Sequence, residues 1–341
     1  AKSTKRLGGY NVYTANQYLY KSTDEGTNWT KISPDLTTND RNKQNTEKSG
    51  GITGDNTSAE NHCTIFTLSQ DPRNEDIIWV GTDDGNIQVT TNGGKQWTNA
   101  ALNLPSNIQK NTWVSCVEAG HFDKATVYVT LDNHTRGDHQ TYLLRSTDYG
   151  RSWNQLKGDS LRGYAHVIRE DPVNRNVIFA GTEYGLFVSI DAGNSWAQFK
   201  NDLPTVPVRD LAIHPTMHDL IIATHGRGVF IIDDITPIRN LAVNALQSEL
   251  LFLPVRPSEQ SYATGFQEFS GTDEFTGTNP SDGARFAYFM KSRHMIGPMS
   301  IDIIDQNSGE VISTVPASKR KGINLVSWNM STKSPRVAVS P

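Results

Sequence analysis

Cysteine is scarce in this chain. Cys63 and Cys116 are the only two in 341 residues, too few for the disulfide framework that staples small secreted folds. The repeat register described below places them three residues out of step on neighbouring strands. Disulfide geometry is hard to meet there, so two buried free thiols are expected. Long apolar runs are missing too. The longest candidates, Asp219–Ala223 and Val229–Ile232, are strand-sized and well short of the roughly 18 residues of a membrane helix, so no membrane insertion is expected. A net charge of −4 gives no electrostatic case for nucleic acid. The opening AKSTKRLGGYNVY is polar and holds no leader-like segment; a mature or fragmentary chain would have lost one. What remains is the composition of a packed fold. Hydrophobic residues are 36% and charged residues 20%, which excludes disorder, and the length allows two or three domains.

One octapeptide recurs four times: Ser22–Trp29, Thr90–Trp97, Ser146–Trp153 and Ser189–Trp196, with the pattern S/T-x-D/N-x-G-x-x-W. Its acidic position is Asp24, Asn92, Asp148 and Asp191 in turn. A short acidic or amide side chain there accepts hydrogen bonds from the backbone of its own turn. The glycine permits positive φ. Trp29, Trp97, Trp153 and Trp196 are expected to leave the turn on the next strand and to be largely buried. These residues read as a folding staple rather than as four ligand sites.

The surroundings repeat as well. Each full unit carries an alternating strand, a turn, a second strand ending in a Gly-Thr-like turn, and a third strand running into the octapeptide. The second unit reads CTIFTLSQDP, DIIWVGTDDG, NIQVTT; the third WVSCVEAGHF, TVYVTLDNH, TYLLRS; the fourth YAHVIREDP, NVIFAGTEYG, LFVSI. A fifth, VPVRDLAIHP, DLIIATHGRG, VFIIDD, loses the octapeptide. Period-2 runs between Gly, Asn and Asp turns are strand signals, and four strands per unit is the signature of a β-propeller. The prediction is an all-β chain with about four and a half blades over residues 1–241. The first unit shows no innermost strand, so the ring is expected to be completed by upstream sequence or by another chain. Residues 242–280 read as an apolar connector, Ala242–Pro257, and a long loop, Ser258–Pro280. The strand-like runs in 281–341 predict all or part of an immunoglobulin-like β-sandwich.

The octapeptide resembles the Asp box of sialidases, sortilin-type receptors and xyloglucanase-type glycosidases. The stretches IWVGTDDGNIQVT (78–90), TYLLRSTDYGRSW (141–153), FAGTEYGLFVSIDAGNSW (179–196) and ATHGRGVFIIDDITPIR (223–239) look like a large bacterial family of exported, sortilin-like BNR-repeat propellers, often described loosely as glycosyl hydrolases. That resemblance implies a place outside the cytoplasm, secreted, periplasmic or on the cell surface. It does not fix an activity, because function lives in the site and not in the fold.

Propeller topology narrows the site. Loops joining second and third strands open on one face, and the Asp boxes, joining third and fourth strands, lie on the other. The first set gathers Asp83, Asp84, Asp132, His134, Arg136, Asp138, His139, Glu183, Tyr184, His225 and Arg227, with the polar insertion Pro34–His62 expected to overhang them. A recognition surface for a glycan or cell-surface protein is one reading, with Asp84, His134, Asp138, Tyr184, His225 and Arg227 as binding residues. A two-propeller glycoside hydrolase is the alternative, with Asp83, Asp132 and Glu183 as weak candidates for an acid–base pair. Asp132, His134, Asp138 and His139 match no regular metal-ligand spacing, so no metal or cofactor is called for. Arg227, flanked by Gly226 and Gly228, is expected either to fork onto an acidic group of a ligand or to pair with Asp210 or Glu183.

Overall fold

The computed structural model describes residues 2–6, 9–44, 62–258 and 283–332. Most of the expected overhanging insertion (45–61) and nearly all of the expected loop Ser258–Pro280 lie outside the described residues. The chain forms two compact units, Ala1–Pro215 with Leu220–Ile231, and Thr216–Asp219 with Ile232–Pro341.

The first unit is a succession of antiparallel four-stranded meanders, as the repeats predict. Blade 1 is β1 (Lys2–Arg6), β2 (Gly9–Ala15), β3 (Leu19–Ser22) and β4 (Thr30–Lys31). Blade 2 is β5 (Ile65–Gln70), β6 (Ile78–Thr82), β7 (Ile87–Thr90) and β8 (Thr98–Asn99). Blade 3 is β9 (Trp113–Ala119), β10 (Val127–Asn133), β11 (Asp138–Ser146) and β12 (Asn154–Leu156). Blade 4 is β13 (Ala165–Glu170), β14 (Ile178–Thr182), β15 (Gly185–Ser189) and β16 (Ala197–Gln198). Blade 5 has three strands, β17 (Val208–Ile213), β18 (Leu220–Thr224) and β19 (Val229–Ile232). One expectation is corrected here. Blade 1 does have its first strand: the polar run Lys2–Arg6 pairs with β2, Lys5 opposite Tyr10 and Arg6 opposite Gly9. Backbone pairing made a strand of five residues with no hydrophobic alternation.

The blades pack on one another through apolar faces. Tyr13, Leu19 and Leu36 of the first meet Ile78 and Val80 of the second. Ile77, Trp79 and Ile87 meet Val114, Val117, Val129 and Leu144 of the third. Tyr128, Leu143 and Leu156 meet Ile168, Ile178 and Phe187 of the fourth. The first strands β5, β9, β13 and β17 adjoin one another in sequence, which places them on the inner side of the array. Both cysteines are free and buried; Cys63 precedes β5 and Cys116 lies on β9.

Each Asp box has the same internal wiring. Ser22 Oγ donates to Asp24 Oδ1 at 2.7 Å and accepts from the Gly26 amide at 2.9 Å, while the Asn28 amide donates to Asp24 Oδ1 at 2.9 Å. Ser146, Asp148, Gly150 and Ser152 repeat this at 2.8, 2.8 and 2.9 Å, as do Ser189, Asp191, Gly193 and Ser195. Asn92 takes the acidic position of the second box and accepts the Gln96 amide at 2.9 Å. The acidic position is thus a local cap.

The tryptophans do not share one environment, against expectation. Trp196 is buried and Trp97 and Trp153 half-buried, but Trp29 is 41% exposed. The reason is that the box leans on the preceding blade. Trp97 Nε1 donates to the Ile32 carbonyl and Trp153 Nε1 to the Ala100 carbonyl, both at 3.1 Å. The box glycines Gly94, Gly150 and Gly193 press on Ile32, Ala100 and Leu156, each three residues past the tryptophan of the blade before. Trp29 has no such seat among the described residues.

The box carboxylates give a pH prediction. The Asn28 amide, then Ser22 and the Asn28 side chain, pull the Asp24 carboxyl down to about 2. The Ser152 side chain and amide and Ser146 do the same for Asp148, also to about 2. A depressed carboxyl contributes stability above its unfolded pKa and loses it as pH falls through the folded value. Asp148→Asn, which copies Asn92, is expected to keep the fold near neutral pH and to flatten the decline in melting temperature between about pH 4 and 2. An unchanged slope would show that the box does not carry this titration.

In the second unit, the stretch Ala242–Pro257, expected to be a connector, supplies a strand: β20 (Leu250–Leu253) pairs with β21 (Ala284–Met290), which pairs with β24 (Gly322–Trp328). A second sheet is the hairpin β22 (Ser300–Ile304) and β23 (Val311–Pro316). Tyr288, Met290 and Ile301 form the core between them, with Phe286, Met299, Val315 and Val326 packed against it. Sheets of three and two described strands make a small two-sheet layer packing; they do not define an immunoglobulin strand order.

Candidate functional site

The turns between second and third strands are built alike in three blades. The amides of Asp83, Glu183 and His225 donate to the carbonyls of Thr64, Tyr164 and Pro207, the residues just before β5, β13 and β17, at 3.0, 3.1 and 2.9 Å. Each turn is thereby fastened to the start of its own blade's first strand.

The same end of the first strands carries a feature the repeat alignment did not reveal. In blade 2, Ile65 pairs with Thr82 and Thr67 with Gly81, so Phe66 is an extra residue in the ladder. Ser115 is skipped between Val114 and Cys116, His166 between Ala165 and Val167, and Arg209 between Val208 and Asp210. Four blades thus place a β-bulge at one register position. A bulge re-aims a side chain and is enriched beside functional sites. The four residues differ in chemistry and burial: Phe66 is 55% exposed, Ser115 half-buried, His166 buried and Arg209 exposed.

His166 and Arg209 are the centre of a polar cluster drawn from blades 3, 4 and 5. His166 Nε2 lies 3.3 Å from Glu183 Oε2, and its Nδ1 lies 3.3 Å from Arg209 Nη1 and 3.8 Å from Asp132 Oδ2. The Asp132 side chain is wholly buried. Its Oδ1 is 2.6 Å from His134 Nδ1 and accepts the His134 amide at 3.0 Å. Its Oδ2 is buried without a hydrogen-bond partner among the described residues. Tyr164 stacks on His134 with centroids 4.3 Å apart and meets His166 edge-on at 5.0 Å. Burial, then the hydrogen bond to Glu183, pushes the Tyr164 hydroxyl up to about 12. Burial and the Arg209 charge hold His166 below the usual histidine range, against the pull of Glu183 and Asp132.

The other expected site residues are dispersed into local roles. Asp83 accepts the Thr64 amide and hydroxyl at 2.8 and 3.0 Å, and burial pushes its carboxyl up. Asp84 is buried and accepts the Thr38 amide and hydroxyl, both at 2.7 Å, along with the Thr82 hydroxyl. Burial raises its carboxyl, but these donors outweigh it and the net shift is downward. Asp138 turns to Tyr142, Asn133 and the Gln140 amide, whereas His134 turns to Asp132, so these side chains do not converge on a shared ion. Tyr184 is exposed and lies against Gly163. His225 and Arg227 are exposed. Of the two roles expected for Arg227, the structure does not show the pairing with Asp210 or Glu183. A Cβ added to Gly226 or Gly228 would meet nothing within 4 Å among the described residues. The anticipated partners are taken: Asp210 pairs with Arg169 at 2.9 Å and Glu183 with His166.

Tyr164, His166 and Arg209 escaped the reading of the sequence because they sit inside strand-like runs. The signal was present as a column: aligning TIFTLSQDP, WVSCVEAGHF, YAHVIREDP and VPVRDLAIHP puts Phe66, Ser115, His166 and Arg209 at one place among mostly apolar or small neighbours.

With this geometry in hand, the class of protein follows. The family model described as "Sortilin, neurotensin receptor 3" matches residues 141–236, the end of blade 3 through blade 5. With four Asp boxes on consecutive meanders, the chain is an Asp-box β-propeller portion, sortilin-like over residues 141–236, that continues into a small β unit. Solved structures similar to it include an ancestral GH74 enzyme (TM-score 0.46, 17% identity, 63% of this chain and 26% of that one). Others are YCF48 bound to D1 peptide (TM-score 0.42, 13% identity, 68% and 64%) and the GH74 xyloglucanase from Xanthomonas campestris (TM-score 0.46, 16% identity, 67% and 35%). The chain therefore spans less than two thirds of each of these. No curated protein matches it significantly. Among the described residues no helix is long and apolar enough to cross a membrane.

Proposed function

We propose that the protein is an extracytoplasmic recognition propeller that binds a protein or a glycan through its loop face, without chemistry of its own. The observation that supports this most is the cluster of Asp132, His134, Tyr164, His166, Glu183 and Arg209: three blades deliver charge, aromatic surface and hydrogen-bonding groups to one place. The carboxylates weigh against glycoside hydrolysis. That reaction needs two accessible carboxyl groups flanking the bond, and Asp132 is buried while Asp83 and Asp84 are committed to backbone and hydroxyl donors.

The test is to screen the purified chain on arrays of glycans and of cell-surface proteins while assaying released reducing ends. Retention without release is expected, weakened by Glu183→Gln and by Arg209→Met with the melting temperature unchanged. Release of reducing ends, abolished by Glu183→Gln, would replace recognition by hydrolysis.

A further inference from the structure

We propose that His166 is a proton-operated positioning residue of the loop face: unprotonated it holds Arg209, and protonated it exchanges Arg209 for Asp132. The inference deepens the recognition reading above, since Arg209 is the cation that face would offer.

The donor inventory fixes the neutral state. A guanidinium has five N–H donors and no acceptor. Its approach to His166 Nδ1 at 3.3 Å is a hydrogen bond when that nitrogen carries a lone pair. The single imidazole proton then sits on Nε2, where Glu183 Oε2 accepts it at 3.3 Å. This assignment accounts for an otherwise unexplained atom. Asp132 Oδ2 is buried with no partner among the described residues, and His166 Nδ1 stands 3.8 Å from it, beyond hydrogen-bond reach, as a nitrogen with no hydrogen to give would.

A second proton reverses the pairing. Nδ1 becomes a donor, and the guanidinium facing it becomes a donor and a like charge. The His166 side chain is 4% exposed, so water is a poor substitute partner. The nearest unused acceptor is Asp132 Oδ2. The imidazolium then bridges Asp132 and Glu183, and Arg209, already exposed, turns to solvent. The titratable and charged groups around the ring are Asp132 at the end of β10, His134 in the turn that follows, His139 on β11, Tyr164 before β13, Glu183 after β14 and Arg209 on β17. Burial and Arg209 disfavour the proton while Glu183 and Asp132 favour it, so the exchange belongs on the acid side of the ordinary histidine range. A fixed guanidinium binds without the ordering cost of a free one, so contacts through Arg209 hold at neutral pH and weaken in acid.

The experiment follows the imidazole nitrogens of His166 and the side-chain signals of Arg209 by NMR in the full chain, from about pH 7.5 down to 5. The Nε2–H tautomer is expected at neutral pH. Its protonation below pH ~6.5 should share a midpoint with the change at Arg209. Arg209→Met, at an exposed position, should raise that midpoint by removing a cation, and Asp132→Asn should lower it. An Nδ1–H tautomer at neutral pH, or an Arg209 signal indifferent to the titration, overturns the proposal. So does a midpoint unmoved by Arg209→Met. No ligand is involved, so the exchange occurring in a chain that binds nothing on either array would uphold this inference while removing the reading it deepens.

Discussion

Trp79→Ala is expected to destabilise the propeller unit by about 3–5 kcal/mol, the range for truncating a large buried aromatic, while Trp29→Ala stays within about 1 kcal/mol. Both are tryptophans of a repeated blade, and the difference lies in their neighbours. Trp79 is fully buried on β6 and belongs to the cluster that joins blades 2 and 3. Deleting its indole opens a cavity between two sheets, bounded by strands that cannot collapse without losing their ladders. Trp29 closes a box whose wiring is complete without it, and much of its ring already faces solvent. Midpoints of denaturant unfolding with a constant slope are the measurement. Equal losses at the two positions would mean that the box tryptophan staples its own turn rather than the seam between blades.

That contrast also marks what the sequence could and could not show. The Asp box is local. Ser22, Asp24, Gly26 and Asn28 contact one another within one turn, so the pattern alone discloses its geometry. The tryptophan's environment is set by a residue more than fifty positions earlier, as with Trp153 and Ala100, and an octapeptide carries no information about it. The strand Lys2–Arg6 failed to show because its side chains are polar throughout and backbone pairing defines it. Strand β20 was hidden because its partner β21 lies beyond a long intervening segment.

The candidate site was legible in part for the same reason. Asp132 at the end of β10, and His134 and Glu183 in the turns that follow β10 and β14, stand out as polar residues at strand ends, and the structure brings them together. His166 and Arg209 are in first strands, one bulge each, and period-2 reading assigns such residues to a face without seeing that the bulge re-aims them. Asp83, Asp84 and Arg227 stood out equally in their turns. Two are spent on holding Thr38 and Thr64 in place, and the third stands exposed between open glycines. Prominence in a turn therefore did not separate a member of the three-blade cluster from a fastener; only the identity of the partner did.

The second large effect isolates the seam from the box. Gly26 and Gly94 occupy the same place in boxes 1 and 2, at φ +96° and +97°, so alanine suffers the same left-handed strain at both, about 1–2 kcal/mol. Their surroundings differ. A Cβ on Gly26 would have the Trp29 ring as its nearest neighbour at 3.6 Å, an ordinary contact. On Gly94 it would lie 2.3 Å from the Ile32 carbonyl oxygen and 3.0 Å from the Ile32 Cβ. That carbonyl is fixed in the tail of blade 1 and also accepts Trp97 Nε1, so relief requires moving one blade against the next and weakening that bond. Overpacking of this kind adds about 1–3 kcal/mol. Gly26→Ala is therefore expected to cost about 1–2 kcal/mol and Gly94→Ala about 2–5 kcal/mol, read as the difference in unfolding free energy from wild type. Because the backbone strain cancels in the comparison, the difference between the two measures the grip of one blade on the next. Identical losses would show that the seam yields freely, and the Asp box would then be a turn motif with no part in joining blades.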